Sequence, residues 1–202
     1  MTDTILSRLR AERLDFADLL DDLGPREWDV PSLCPGWTVR DVAAHLTLST
    51  RTTLPLVLWR AVRARGDWNR MTADLARERA AAFPPAALVA QIRETAGSAR
   101  RAPDAGPLDP LVDVLVHGQD IARPLGRVRE MPVEPAIAGL EHVLPSRFYG
   151  ARQRMRGTRL VATDADWSAG EGPAEMRAPA GDLLLWATGR ATTPPAGPPA
   201  AP

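Results

Sequence analysis

The stretch Leu108-Asp-Pro-Leu-Val-Asp-Val-Leu-Val-His-Gly-Gln-Asp-Ile-Ala-Arg123 predicts a buried helix with polar chemistry on one face. Apolar residues recur at helical spacing, at positions 111, 112, 115, 116 and 121. Asp113 and His117 are four residues apart, so they project one turn apart from the same helix face. A carboxylate and an imidazole so placed can share one metal ion. The same spacing also fits a simple hydrogen bond between them, or a histidine near the surface of a bundle.

A second apolar helix is predicted to begin at Thr38 and to run towards Trp59. Thr38 can cap its N-terminus, and Asp41 stands where a carboxylate suits the first turn. Pro55 is expected to kink this helix or to start a new segment. His45 lies on its apolar side, where an imidazole is costly unless it is hydrogen-bonded or bound to a metal.

His45, Asp113 and His117 are therefore the candidate metal ligands. The first two residues lie on different predicted helices, so the site requires those helices to face each other. Three protein ligands leave coordination positions open, which suits a catalytic metal better than a structural one. His142 has no partner pattern, and we interpret it as structural.

Two further residues near these helices have two interpretations each. Asp120, three residues after His117, can orient an imidazole or can form a surface salt bridge with Arg123 or Arg127. Cys34 lies in a proline-rich loop close to a helix N-terminus, where a thiol becomes reactive, but a structural thiol is the alternative.

The remaining sequence predicts a mainly α protein with a small appendage. Trp28 and Trp37 flank an irregular stretch, 25–37, and are expected to cap one end of the helical core. Residues 60–70 are Arg-rich and are expected to form a turn. We predict a helical bundle over 1–150, an α/β segment over 151–191 and a disordered Pro/Ala tail over 192–202. Further helices are predicted at 3–23, 134–149 and 182–188, and strands at 158–163 and 174–178. The segments 71–82 and 86–101 are predicted to be two helices or one long bent helix.

Composition excludes several classes of function. Lys plus Arg and Asp plus Glu both number 25 in the 202 residues, so the chain lacks the basic balance of a nucleic-acid-binding protein. Its single cysteine, Cys34, excludes an internal disulfide. No signal peptide and no membrane-spanning stretch is apparent. We expect a soluble, cytoplasmic protein.

Several separated motifs resemble the mycothiol-dependent maleylpyruvate isomerase-like family of the DinB superfamily. They are Ser32–Leu46, with its Pro-Gly-Trp turn, Asp113–Asp120, and three C-terminal segments at 157–167, 170–173 and 181–190. The resemblance implies a DinB-like four-helix bundle with a small C-terminal α/β appendage. It also implies metal ligands at His45, Asp113 and His117, and a low-molecular-weight thiol such as mycothiol as cofactor. The sequence departs from the family at Asp113, where Glu is usual.

The expected function is a metal- and thiol-dependent transferase or isomerase acting on a small electrophile. Zinc is the expected metal, although two imidazoles and a carboxylate also suit nickel, iron or manganese. Arg190 is a candidate for facing an anionic group, and it equally suits a helix C-terminus. A metal-dependent hydrolase and a non-catalytic binding module are the alternatives. We expect a small molecule and a thiol as partners, no nucleic acid and no membrane, with monomer and homodimer both open.

Overall fold

The computed structural model describes residues 3–103 and 105–190 and is built mainly of α-helices, as predicted. The expected tail at 192–202 lies outside the described residues. Among the described helices, none has the length and apolarity needed to cross a membrane. The helices are α1 (Asp3–Asp21), α2 (Val39–Leu48), α3 (Leu54–Arg63), α4 (Trp68–Ala82), α5 (Pro85–Glu94), α6 (Asp109–Ala122), α7 (Val133–Val143), α8 (Ala151–Arg154) and α9 (Ala180–Ala187).

The described chain divides into two compact units, and the first ends at Arg129. In this unit α1 packs against α5 and α6, and α2 packs against α4, α5 and α6. Its core is apolar, with fully buried side chains that include Phe16 of α1 and Leu115 of α6. The predicted helix bundle is confirmed, and it brings α2 and α6 into direct contact.

The start of α2 is fixed by a reciprocal cap. The backbone N–H of Asp41 donates to Thr38 Oγ1, and the backbone N–H of Thr38 donates to Asp41 Oδ2 at 2.9 Å. This confirms the predicted cap and sets the rotation of the helix. His45 follows one turn after Asp41, so the cap also sets the direction of the imidazole.

The helix that begins after Thr38 ends earlier than Trp59. It stops at Leu48, and α3 begins at Leu54 with Pro55 in its first turn. Of the two expectations for Pro55, the new segment is correct. The expected turn over 60–70 is wrong in extent, because α3 continues to Arg63 and α4 begins at Trp68.

A buried ion pair ties α1 to the end of the first unit. Arg129 Nη2 lies 2.6 Å from Glu12 Oε2 and 3.0 Å from Asp15 Oδ2. Burial raises the pKa of Glu12, although the neighbouring guanidinium acts in the opposite direction. Gly118 makes room for this pair, because a Cβ there would stand 2.8 Å from Arg129 Nη1.

A second pair closes the turn after α1. Glu27 Oε2 accepts the backbone N–H of Gly24 at 2.7 Å and faces Arg127 Nη2 at 3.0 Å. The backbone hydrogen bond, followed by the bond to Arg127, outweighs desolvation and lowers the pKa of Glu27. The carboxylate therefore joins the short 3₁₀ turn Glu27–Asp29 to the segment that follows α6.

The second unit begins at Glu130, and its α7 and α9 pack together. Strands β1 (Thr158–Ala162) and β3 (Ala174–Ala178) pair in parallel, and in this register Leu160 lies opposite Met176. The very short β2 (Ser168–Ala169) adds antiparallel to β1.

Both predicted strands are confirmed, while β2 was not predicted. The predicted helix at 134–149 ends at Val143, before Pro145. A compact unit is not yet an independently folding domain, so the expected boundary at residue 150 stays a prediction.

Candidate metal centre

The structure brings the three candidate ligands together between α2 and α6. His45, Asp113 and His117 each offer one ligand atom, and these atoms all lie within 4.8 Å of one another. The two imidazole rings meet edge to face, with centroids 5.0 Å apart. His45 Nε2 lies 3.9 Å from Asp113 Oδ2. The shorter carboxylate of Asp113 thus reaches the vicinity of His45 in spite of its missing methylene.

One pair of candidate donor atoms lies near the spacing that a divalent cation requires, and all three lie within 4.8 Å of one another. Metal–ligand bonds of about 2.0–2.2 Å around tetrahedral zinc place neighbouring ligand atoms about 3.3 Å apart. The distance of 3.9 Å between His45 Nε2 and Asp113 Oδ2 exceeds this by roughly half an ångström. The Asp113 side chain is 36% exposed and that of His45 is 19% exposed. The site is therefore open to solvent on the Asp113 side, where further ligands have access.

A second group of polar atoms surrounds the other nitrogen of His117. Nδ1 of His117 lies 2.9 Å from Asp120 Oδ2. The thiol of Cys34 donates to the same carboxylate oxygen at 3.1 Å, and its sulfur lies 3.7 Å from His117 Nδ1. Asp120 is fully buried rather than at the surface, where its salt-bridge interpretation would place it. Cys34, Asp120 and His117 also lie close enough together to hold a metal ion. Where Nδ1 of His117 instead donates to Asp120, Nε2 is the nitrogen left for an ion shared with His45 and Asp113.

The ionisation of His117 reflects this neighbourhood. Burial lowers the pKa of His117. The hydrogen bonds to Asp120 and Cys34, together with the attraction of the Asp120 carboxylate, raise the pKa by more than burial lowers it. The balance brings the pKa of His117 to about 10. At neutral pH the metal-free imidazole is therefore protonated on both nitrogens, and a metal would have to take the place of the Nε2 proton.

The loop before α2 lies against the same two helices. The backbone N–H of Leu33 donates to the carbonyl of Asp120 at 3.0 Å, which joins the loop to α6. Pro31 and Thr38 form an isolated antiparallel bridge, and Gly36 takes a positive φ of 75° at the turn between them. The loop is thereby closed on itself and attached beside His117.

Trp37 packs on both histidines instead of only capping the core. Its ring lies nearly parallel to that of His117, with an interplanar angle of 8° and centroids 6.5 Å apart. It meets His45 edge to face at 5.3 Å. Trp28, in contrast, is buried as expected for a core residue. The indole of Trp37 is thus a close neighbour of both candidate histidines.

Arg13 is a neighbour of the site that the sequence did not reveal. It is buried on α1, and its guanidinium donates to the carbonyls of Thr95 and Ser98, each at 3.0 Å. Burial lowers its pKa, while the charge of Asp113 acts to raise it. Arg13, Ser49, Thr95 and Asp113 line a small cleft beside the candidate centre. The spacing of apolar residues along the first predicted helix did not distinguish Arg13 from an arginine at the surface.

Arg190 and His142 belong to the second unit. Arg190 Nη1 donates to the carbonyl of Thr188 at 3.0 Å, just after α9. The ring of His142 meets that of Tyr149 edge to face at 6.1 Å. The role of Arg190 towards an anionic group stays a prediction.

Two facing helices of the bundle thus bring two imidazoles and a carboxylate together. This arrangement is typical of a helical-bundle protein with a metal centre between its helices. The chain belongs to the family described as the mycothiol maleylpyruvate isomerase N-terminal domain, whose model matches residues 9–133. This range contains the three candidate ligands together with Cys34 and Asp120.

Two solved structures resemble the chain over nearly its whole length. One is a crystal structure of the mycothiol-dependent maleylpyruvate isomerase, with a TM-score of 0.66 and 14% identity, covering 95% of this chain and 93% of that one. The other is a histidine-to-alanine mutant of the same enzyme, with a TM-score of 0.63, 14% identity and the same coverage. No curated protein matches significantly. At this identity the two structures establish a shared fold.

Proposed function

We propose that this protein is a metal-dependent enzyme that uses a low-molecular-weight thiol, such as mycothiol, to isomerise or conjugate a small electrophilic substrate. The observation that carries the proposal is the convergence of His45, Asp113 and His117 on two facing helices. The family and the fold agree with it, because the similar solved enzyme is a mycothiol-dependent isomerase. Its substrate, maleylpyruvate, is not assigned to this chain.

The residues of the site have separable tasks. His45, Asp113 and His117 would hold the metal, with zinc as the expected ion. Asp120 lies 2.9 Å from Nδ1 of His117 and, by accepting a hydrogen bond from it, would direct Nε2 to the metal. A divalent ion held here supplies the Lewis acidity that keeps a thiol in its thiolate form at neutral pH.

The reaction needs no oxidant or reductant. The thiol sulfur forms a bond to an electrophilic carbon of a conjugated double bond, and the displaced electron pair moves to the activating carbonyl. Rotation about the resulting single bond and cleavage of the same carbon–sulfur bond give the isomer and return the thiol. Protonation of the neighbouring carbon instead leaves a stable thioether, which is the transferase outcome. The Asp113 side chain is 36% exposed, so a small molecule can approach the site beside it.

The first test is metal content. Purified, untagged protein is compared with His45→Ala, His117→Ala and the matched control His142→Ala by elemental analysis after reconstitution. We expect about one metal per chain in the parent and in the control, and loss in the other two variants. Metal retention by His117→Ala would overturn the proposed centre.

The second test separates the classes of reaction. Metal-loaded protein is incubated with a small conjugated electrophile, with and without added thiol, and the products are followed by NMR. Turnover that requires the thiol supports the proposal. Turnover with water alone indicates a metal-dependent hydrolase, and ligand binding without turnover by the loaded protein indicates a non-catalytic module.

A further inference from the structure

We propose that Cys34 is a positioning residue for the metal centre, acting through Asp120 on His117. The inference rests on the proposed function for the metal itself, while the hydrogen-bond network stands on the structure alone. Cys34 lies outside the bundle helices, in the loop that precedes α2. Its thiol is nevertheless a direct neighbour of a candidate ligand.

The contacts form a short branched network on one carboxylate oxygen. Asp120 Oδ2 lies 2.9 Å from His117 Nδ1 and accepts the Cys34 thiol at 3.1 Å. The Asp120 side chain has no exposed surface, and that of His117 is 9% exposed. Bulk water therefore cannot readily take the place of the thiol, and the carboxylate depends on a protein donor for its orientation.

The backbone around Cys34 holds the thiol in place independently of Asp120's side chain. The N–H of Cys34 donates to Ser32 Oγ at 3.2 Å, and its carbonyl accepts the N–H of Trp37 at 3.0 Å. The preceding N–H, of Leu33, donates to the backbone carbonyl of Asp120 at 3.0 Å. The main chain on both sides of Cys34 is thus held in place, and through Leu33 it is attached to α6.

This arrangement has a consequence for the nitrogen that faces the metal. A metal-bound histidine is oriented by what its other nitrogen donates to, and losing that partner costs 10- to 100-fold in metal affinity. The thiol acts one step further out, by keeping Asp120 Oδ2 aligned with Nδ1 of His117. Because a thiol is a weak hydrogen-bond donor and acts on His117 only through Asp120, we expect its loss to weaken metal binding by about 3- to 10-fold.

The test uses two replacements of similar size. Cys34→Ser keeps a hydrogen-bond donor, whereas Cys34→Val fills the space without one. Zinc affinity is measured by competition with a chromophoric chelator. In metal-free, ¹⁵N-histidine-labelled protein, the Nδ1 proton of His117 is followed by NMR, with assignment from His117→Ala. Thermal midpoints in chelator show that the variants are folded.

We expect Cys34→Ser to resemble the parent in both measurements. Cys34→Val should bind zinc about 3- to 10-fold more weakly and exchange its His117 Nδ1 proton faster. Parent-like behaviour of a folded Cys34→Val in both measurements would overturn the proposal.

Two further outcomes separate this inference from the proposed function. A thiolate-to-metal charge-transfer band in the Co²⁺-loaded parent, absent in Cys34→Ser, would show that Cys34 is a ligand and would overturn the positioning role. If the Nδ1 proton depends on Cys34 but the parent binds no metal, the network is supported and the proposed function fails.

Discussion

Replacing Asp113 by Asn and by Glu separates the charge of this candidate ligand from its reach. Asn keeps the length of the side chain and removes the negative charge. Glu keeps the charge and adds one methylene, about 1.5 Å of reach. The resemblance seen in the sequence led us to expect Glu at this position, so the second replacement also tests that expectation.

The expected sizes follow from the geometry. The separation of 3.9 Å between His45 Nε2 and Asp113 Oδ2 is roughly half an ångström longer than tetrahedral zinc requires. The added methylene exceeds this gap, so we expect Asp113→Glu to bind zinc as tightly as the parent or up to about tenfold more tightly. Asp113→Asn loses a charged ligand. Its zinc affinity should therefore fall by more than roughly 100-fold, which is the largest fall expected when a residue that only orients a ligand is lost.

The assay is zinc competition with a chromophoric chelator, with thermal unfolding in excess EDTA as the control for folding. Asp113 is 36% exposed, and its charge also acts on buried Arg13. We therefore expect a stability change below about 1 kcal/mol without metal. Asp113→Asn with parent-like zinc affinity would refute the assignment of Asp113 as a ligand. Weaker zinc binding by a folded Asp113→Glu variant than by the parent would refute the argument from side-chain reach.

Three other changes test the framework around the centre. Asp120→Asn should weaken zinc binding about 10- to 100-fold in the same competition assay, because His117 loses its charged acceptor; unchanged affinity would contradict this. Gly118→Ala should destabilise the protein by about 1–3 kcal/mol in urea unfolding, because its Cβ collides with the guanidinium of Arg129; parent-like unfolding would show that the ion pair can shift freely. Glu27→Gln should lower the melting temperature at pH 7. Since the pKa of Glu27 is lowered mainly by a backbone hydrogen bond, the stabilisation by its charge is present above the unfolded value of 4.5 and is lost as pH falls through the lowered folded value. The difference from the parent should therefore disappear well below pH 4.5, and a difference that persists there would indicate a cause other than charge.

Local sequence signals predicted the parts of the fold that depend on nearby residues. The helical spacing over 108–123 predicted α6, which spans Asp109–Ala122. The Thr38–Asp41 cap is a contact across three residues, and it formed as expected. The same spacing rule placed Asp113 and His117 on one face, and the structure brings both near His45. These signals work because neighbours along a helix are also neighbours in space.

The contacts that the sequence left open are long-range. Cys34 and Asp120 are 86 residues apart, and no periodicity connects a loop thiol with a helix carboxylate. Trp37 has the apolar character of a core residue, and only its packing on two imidazoles distinguishes it. The two-residue β2 is too short to show alternation. Each depends on tertiary packing rather than on local preference.

The convergence of α2 and α6 has a mechanical meaning. Helices α3, α4 and α5 lie between His45 and Asp113 along the chain. An ion shared by His45 and Asp113 would therefore act as a removable cross-link between the two ends of this long segment. An ion that binds only the folded state adds stability that grows with free metal concentration, because unfolding must open this cross-link and release the ion. The melting temperature would then report metal supply, and a cell short of the metal would hold this protein in a form that opens and is degraded more readily.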